Sequence, residues 1–277
     1  MVILAQDAAA SNEGSTTVRD ARAAWTRAGT GPLAVYAHAL SQDRDSLAGP
    51  GGVLDLTPVT EVRTLVRYDA RGHGRSDGSL DPGDYAYRVL AADLLELIGQ
   101  WSPTRPVAGI GTSMGTATLL HAATREPDRF DALVLTAPPT AWQARAGQGD
   151  AYRSLAAAIE RDGLDSMMGT VQAAATPAIM RDGPPLTPRI TEEFLPTVLR
   201  GVATSDLPAA EAIARLRVPV LILSWADDPT HPVATGERLH ELIPGSTFRV
   251  AATRREVEGW PALIADFLAQ SATGSPR

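Results

Sequence analysis

Six short stretches of this chain are apolar on both faces: "PLAVYAHAL" (32–40), "EVRTLVRYDA" (61–70), "PVAGIGTS" (106–113), "DALVLTAP" (131–138), "VPVLILSW" (218–225) and "STFRVAAT" (246–253). A strand with two apolar faces needs helices on both sides, the situation of strands in a parallel sheet. Helical patterns fill the gaps. "YAYRVLAADLLELIGQW" lines up Tyr87, Leu90, Leu94, Leu97 and Ile98 on one stripe, and two later helical runs stop at Pro127 and Pro244. The last run, "GWPALIADFLAQ", reads as a closing amphipathic helix. This alternation predicts an α/β fold with a mostly parallel, doubly wound sheet. "TTVRDARAAWTRAG" alternates weakly and fits antiparallel edge strands, after a loose lead-in over about residues 5–15.

The alternation breaks between Thr140 and Leu216, where helical pieces appear without a buried strand. Open α/β sheets bind ligands at the carboxyl ends of their strands, so an insertion there reads as a lid. The expected division is a core of residues 1–139 and 217–277 and a helical lid of residues 140–216. Trp142, Phe194, Met167, Met168 and Met180 supply apolar bulk to that lid, as its own core or as the wall of an apolar pocket.

Composition removes several chemistries. The chain has no cysteine, hence no thiolate nucleophile, disulfide or thiolate metal site. It has no lysine either, which excludes a Schiff-base lysine and a Walker-A loop. A net charge of −7 argues against a nucleic-acid partner. The N-terminal apolar run is too short for a signal peptide or a membrane span, so the expectation is a cytoplasmic protein with no membrane partner.

"GTSMG" (111–115) ends a buried strand and opens a helix. A nucleophile elbow needs this context: Ser113 on a strained turn, flanked by glycines, with the Met114 N–H at the helix start available to an oxyanion. With "RGHGRS" after the preceding strand and "EPDRFDALVLTAP" leading into the next, the order resembles the α/β-hydrolase fold family over nearly the whole chain outside the lid. The resemblance implies further roles. "AHALSQDRDS" (37–46) resembles the loop that supplies a second oxyanion donor, here the Leu40 N–H, with Ala39 where the family usually has glycine. His38 and His73 match residues that hold turns. "SWADDPTHP" (224–232) is similar to the turn carrying the triad carboxylate, Asp228, with Asp227 beside it.

One family feature is missing. The general-base histidine should follow the strand "STFRVAAT", but the next residues are "RREVEG". His121 and His240 fall within helical runs. His231 lies three residues after Asp228, at the sheet's ligand-binding edge. Three options stay open: His231 as a relocated base, a carboxylate (Glu256 or Glu258) or His38 in that role, or no competent base. The first reading is a serine hydrolase that acts on a small carboxylic ester or lactone through an acyl-enzyme on Ser113, with Asp228 and His231 completing the triad. It needs a small-molecule substrate and no cofactor or metal. The alternative is a degenerate scaffold that binds a small molecule or catalyses a cofactor-free cyclase or lyase step.

Overall fold

The computed structural model describes residues 12–166, 168–169, 178–181 and 187–273. Its centre is an eight-stranded sheet formed by β1 (Asn12–Val18), β2 (Ala21–Ala28), β3 (Leu33–Ala37), β4 (Thr64–Tyr68), β5 (Val107–Thr112), β6 (Phe130–Thr136), β7 (Val220–Trp225) and β8 (Thr247–Ala251). The spatial order is β1-β2-β4-β3-β5-β6-β7-β8. All pairs from β4 to β8 are parallel, and β2 is antiparallel to both of its neighbours. The sheet is therefore the mostly parallel one expected. β1 begins at Asn12, inside the stretch read as a loose lead-in, because Asn12 already pairs with Arg27 of β2. The rest of that stretch lies outside the described residues.

The double apolar faces have a direct structural counterpart in β3 to β7, whereas β8, expected to be buried as well, lies at the sheet edge and leaves Arg249 and Val250 exposed. Along β3, Leu33, Val35 and Ala37 face one layer, with α1 (Tyr87–Trp101) and α2 (Met114–Arg125). Ala34 and Tyr36 face the other, with Leu54, Val59 and the C-terminal helix α8 (Trp260–Thr273). All five strand positions are buried, so period-two alternation of polarity is absent. Each fully buried leucine or isoleucine in these layers stabilises the fold by about 1.5–3 kcal/mol. Arg63 is fully buried too: its Nη1 meets Asp131 Oδ2 at 2.8 Å and its Nη2 donates to the Leu268 carbonyl at 3.2 Å, fixing α8 to the sheet.

Between β6 and β7 the chain forms α3 (Arg145–Asp162), α4 (Leu195–Ala203) and α5 (Ala210–Ile213), with no strand among the described residues. Arg145 ties these pieces down. It donates to the carbonyls of Ser205 and Val202 at 2.7 and 2.8 Å and to the Tyr87 hydroxyl of α1 at 2.9 Å. Trp142 and Phe194 pack on the apolar layer beside α1 and α2, and Met180 is buried in the other layer. Met180 is a core member, and Trp142 and Phe194 are partly buried against the core. Met168 is half-buried, and Met167 lies outside the described residues. The chain continues through α6 (Val233–Leu242) and α7 (Arg254–Glu258). None of the described helices is long and apolar enough to cross a membrane.

Candidate active site

The end of β5 and the start of α2 make a turn too tight for ordinary side chains. A Cβ on Gly115 would fall 1.9 Å from the Ala37 carbonyl oxygen, and one on Gly111 would fall 2.6 Å from the Gly115 backbone. The glycines on either side of Ser113 thus let β3, β5 and α2 close on one another. Ser113 itself takes φ 55° and ψ −109°, a left-handed backbone that an L-residue adopts only under constraint. The constraint is visible: the Ser113 N–H donates to the Thr136 carbonyl at 3.1 Å.

A buried chain of hydroxyls lies beneath this turn. Tyr36 Oη donates to Thr112 Oγ1 at 3.3 Å, Thr112 Oγ1 bonds Thr136 Oγ1 at 2.7 Å, and Thr136 Oγ1 donates to the Gly111 carbonyl at 2.9 Å. Since Thr136 gives its proton to Gly111, Thr112 must be the donor in the middle bond. Thr116 Oγ1 reaches the same carbonyl at 2.9 Å. These threonines were not singled out from the sequence. The available signal was a hydroxyl at the carboxyl end of two otherwise apolar neighbouring strands.

The Ser113 side chain points at the loop after β7. His231 Nε2 lies 2.7 Å from Ser113 Oγ, and His231 Nδ1 lies 2.6 Å from Asp228 Oδ2. The loop's own geometry brings the two loop residues together. Asp227 turns the chain with φ 58°, Asp228 Oδ1 accepts the Thr230 N–H at 2.9 Å, and the His231 N–H donates to the Asp228 carbonyl at 3.2 Å. Trp225, the last residue of β7, adds an indole N–H to Asp228 Oδ2 at 2.7 Å. Burial pushes the Asp228 carboxyl up, but the bonds from His231, Trp225 and Thr230 outweigh it and bring its pKa down to about 2. The ionised carboxylate holds the proton of His231 on Nδ1, which leaves Nε2 free to accept from Ser113.

The other candidates are engaged elsewhere. His38 is buried between two backbone groups: its Nε2 accepts the Ala70 N–H at 2.9 Å and its Nδ1 faces the Ala39 carbonyl at 2.8 Å. Desolvation lowers its pKa to about 4, and burial beside His38 takes His73 to about 3. Both rings are neutral spacers, 4.9 Å apart. "RREVEG" is the helical turn α7 rather than an open loop. Thr253 caps it, and Glu256 Oε2 accepts the N–H groups of Ala252 and Thr253 at 2.6 and 2.9 Å. These bonds lower the Glu256 pKa, and Glu258 pairs with Arg254 at 2.9 Å. His121 and His240 bond the Asp206 carbonyl and Ser246 Oγ. Met114 is the first residue of α2, where N–H groups have no intrahelical acceptor, and the Leu40 N–H has no hydrogen-bond partner among the described residues. The described residues hold no cluster of three or more metal-ligating side chains.

Comparisons with known proteins agree with this architecture. The chain is 30% identical over 193 residues to 3-oxoadipate enol-lactonase 2 of Acinetobacter baylyi, covering 67% of this chain and 69% of that protein. It is 26% identical over 201 residues to a putative 2-succinyl-6-hydroxy-2,4-cyclohexadiene-1-carboxylate synthase of Bacillus subtilis, covering 67% and 72%. A hydrolase from Pseudomonas aeruginosa superposes with a TM-score of 0.77 at 22% identity, over 95% of this chain and 99% of that one. The sequence model of serine aminopeptidase S33 matches residues 63–253. With its mostly parallel sheet and its strand–turn–helix at Ser113, the chain belongs to that family of α/β hydrolases.

Proposed function

We propose that the protein is a serine hydrolase of small carboxylic esters or lactones, working through an acyl-enzyme on Ser113. The observation that carries this reading is the unbroken hydrogen-bond path from Asp228 through His231 to Ser113 Oγ. Oγ attacks the substrate carbonyl while His231 Nε2 takes its proton. Asp228 holds the ring and stabilises its charged form. The N–H groups of Met114 and Leu40 receive the developing oxyanion. His231 then returns the proton to the leaving alkoxide, and in a second half-reaction it activates water against the acyl-enzyme. With a lactone the leaving alcohol stays tethered, so the product is one open-chain acid. The helical segment 140–216 serves as the lid over this edge, and residues 1–139 and 217–277 serve as the core. The enol-lactonase relative supports the ester or lactone class.

A putative synthase among the relatives favours a second reading, a cofactor-free cyclase or lyase step without an acyl-enzyme. Labelling with a fluorophosphonate probe and turnover of a p-nitrophenyl ester panel separate the two. The hydrolase reading expects labelling that Ser113→Ala abolishes, together with a burst of p-nitrophenol. No labelling and no ester turnover would overturn it.

A further inference from the structure

A cavity of about 270 Å³ lies between the loop that follows β3 and the turn α7 that follows β8. Gln42, Leu47, Met180, Thr187, Arg189 and Arg254 line it. Three of its walls stand at the edge of the sheet that carries Ser113. Gln42 is two residues beyond Leu40, and its N–H bonds the Ala39 carbonyl at 3.1 Å. Arg254 opens α7, after the strand that pairs with β7. Met180 shares an apolar cluster with Ala137 and Trp225, which sit at the carboxyl ends of β6 and β7.

The polar groups facing this space are unbalanced. Two of its lining residues are arginines, and none of the described lining residues is acidic, although the chain carries a net charge of −7. Glu258 occupies only the Nε of Arg254, and the Arg189 side chain has no partner among the described residues. Gln42 is 6% exposed, and its side-chain amide has no hydrogen-bond partner among the described residues. That amide is not among the fully enclosed unpaired groups of the fold, so it stays accessible from the cavity and free to donate to a ligand there. The neighbouring cavity makes a contrast. There Asp43, Asp45 and Asp69 line the space with Arg44 and Arg75, Arg44 pairs with Asp45 and Asp69, and Arg189 borders both cavities.

We propose that the cavity is an anion-accepting subsite of the Ser113 site, and that the preferred substrate is an ester or lactone carrying a carboxylate. Arg254 and Arg189 meet the carboxylate through charge-assisted bonds, and the Gln42 amide donates to it. This rests on reading Ser113 as the nucleophile, but its binding half is tested without catalysis. Glutarate is titrated calorimetrically into the Ser113→Ala protein, with glutaramide as the neutral comparison. The kcat/KM ratio of mono-p-nitrophenyl glutarate to p-nitrophenyl hexanoate is then measured at constant ionic strength. Wild type, Arg254→Gln and Arg189→Gln are compared, with the exposed Arg238→Gln of α6 as control.

The expected result is glutarate binding that Arg254→Gln removes from the Ser113→Ala protein, no matching affinity for glutaramide, and a ratio that falls roughly tenfold in Arg254→Gln. Arg238→Gln leaves the ratio unchanged. Glutarate and glutaramide binding alike, or a ratio unmoved in both Arg254→Gln and Arg189→Gln, would overturn the subsite while leaving the hydrolase standing. Glutarate binding without turnover of either ester would overturn the hydrolase and leave the subsite standing.

Discussion

Trp225 and Trp260 lie face to face, with ring planes 3° apart and centroids 5.8 Å apart. Trp260 opens the helix that follows the segment expected to carry a histidine. In place of a base, this part of the chain supplies a wall. The wall fixes Trp225, the Trp225 indole N–H holds Asp228 Oδ2, and the indole also meets the His231 ring edge-on at 5.8 Å. The placement of His231 in the β7 loop thus has a structural counterpart: one carboxylate oxygen shared by an imidazole and an indole.

Trp225→Phe keeps the stacked ring and removes only the indole N–H. The expected result is a kcat lowered by about fivefold, as the loss of roughly 1 kcal/mol of orientation predicts, with KM little changed. Steady-state hydrolysis of p-nitrophenyl acetate checks it. Equal kcat values in the two proteins would mean that His231 alone holds Asp228 in place.

His231→Ala and Glu256→Gln discriminate the proposed base from the residue that fills the usual base segment. His231 stands 2.7 Å from Ser113 Oγ, whereas Glu256 is exposed and spends its carboxylate on the cap of α7. Loss of His231 is expected to lower kcat by about 10³-fold or more. Glu256→Gln is expected to keep full activity and to lower Tm slightly through the weakened capping box. Unchanged ester hydrolysis in His231→Ala would remove His231 from the reaction.

What the sequence made legible follows from how local each feature is. The elbow at Ser113 was readable because strand, glycines and helix are contiguous. The parallel sheet was readable because burial on both faces removes polar alternation. The partner of Ser113 stayed among several options because no spacing rule tells whether Asp228 and His231 point the same way. That depends on the left-handed Asp227 and the Asp228–Thr230 turn. Trp225 and Thr136 went unnoticed because a strand residue read only as apolar or β-forming hides its polar atom. The capped turn at Thr253 differs: Thr253 followed three residues later by Glu256 is a capping-box pattern, legible in the sequence itself.

Thr136 offers a test of how the elbow is held. Its hydroxyl passes the Tyr36–Thr112 chain on to the Gly111 carbonyl, two residues before Ser113. Thr136→Val keeps the shape but leaves the buried Thr112 hydroxyl with its Tyr36 donor and no acceptor for its own proton, at a cost of about 1–3 kcal/mol. The expected outcome is a lower kcat with a nearly unchanged KM, and recovery of kcat in Thr136→Ser. A Tm loss in Thr136→Val with kcat intact would make the hydroxyl chain purely structural.

The buried histidine pair predicts how stability depends on pH. His38 and His73 titrate at about 4 and about 3 in the fold, against an ordinary value near 6.5. The cause is desolvation, and for His38 the Ala70 N–H also occupies the nitrogen that would take the proton. Between pH 6.5 and 4 the unfolded chain binds protons that the fold refuses, so unfolding takes up protons and stability falls as pH drops. Each ring contributes about 1.4 kcal/mol per pH unit within that window and nothing above it. His121, lowered by burial, acts in the same direction. Urea denaturation at pH 7.5, 6 and 5 should therefore give an uptake approaching two protons or more at the acid end, and His73→Gln should remove about one of them. A stability that stays flat from pH 7.5 to 5 would mean that the two rings are solvated, and that the β3 and β4 loops framing Ser113 are open rather than packed.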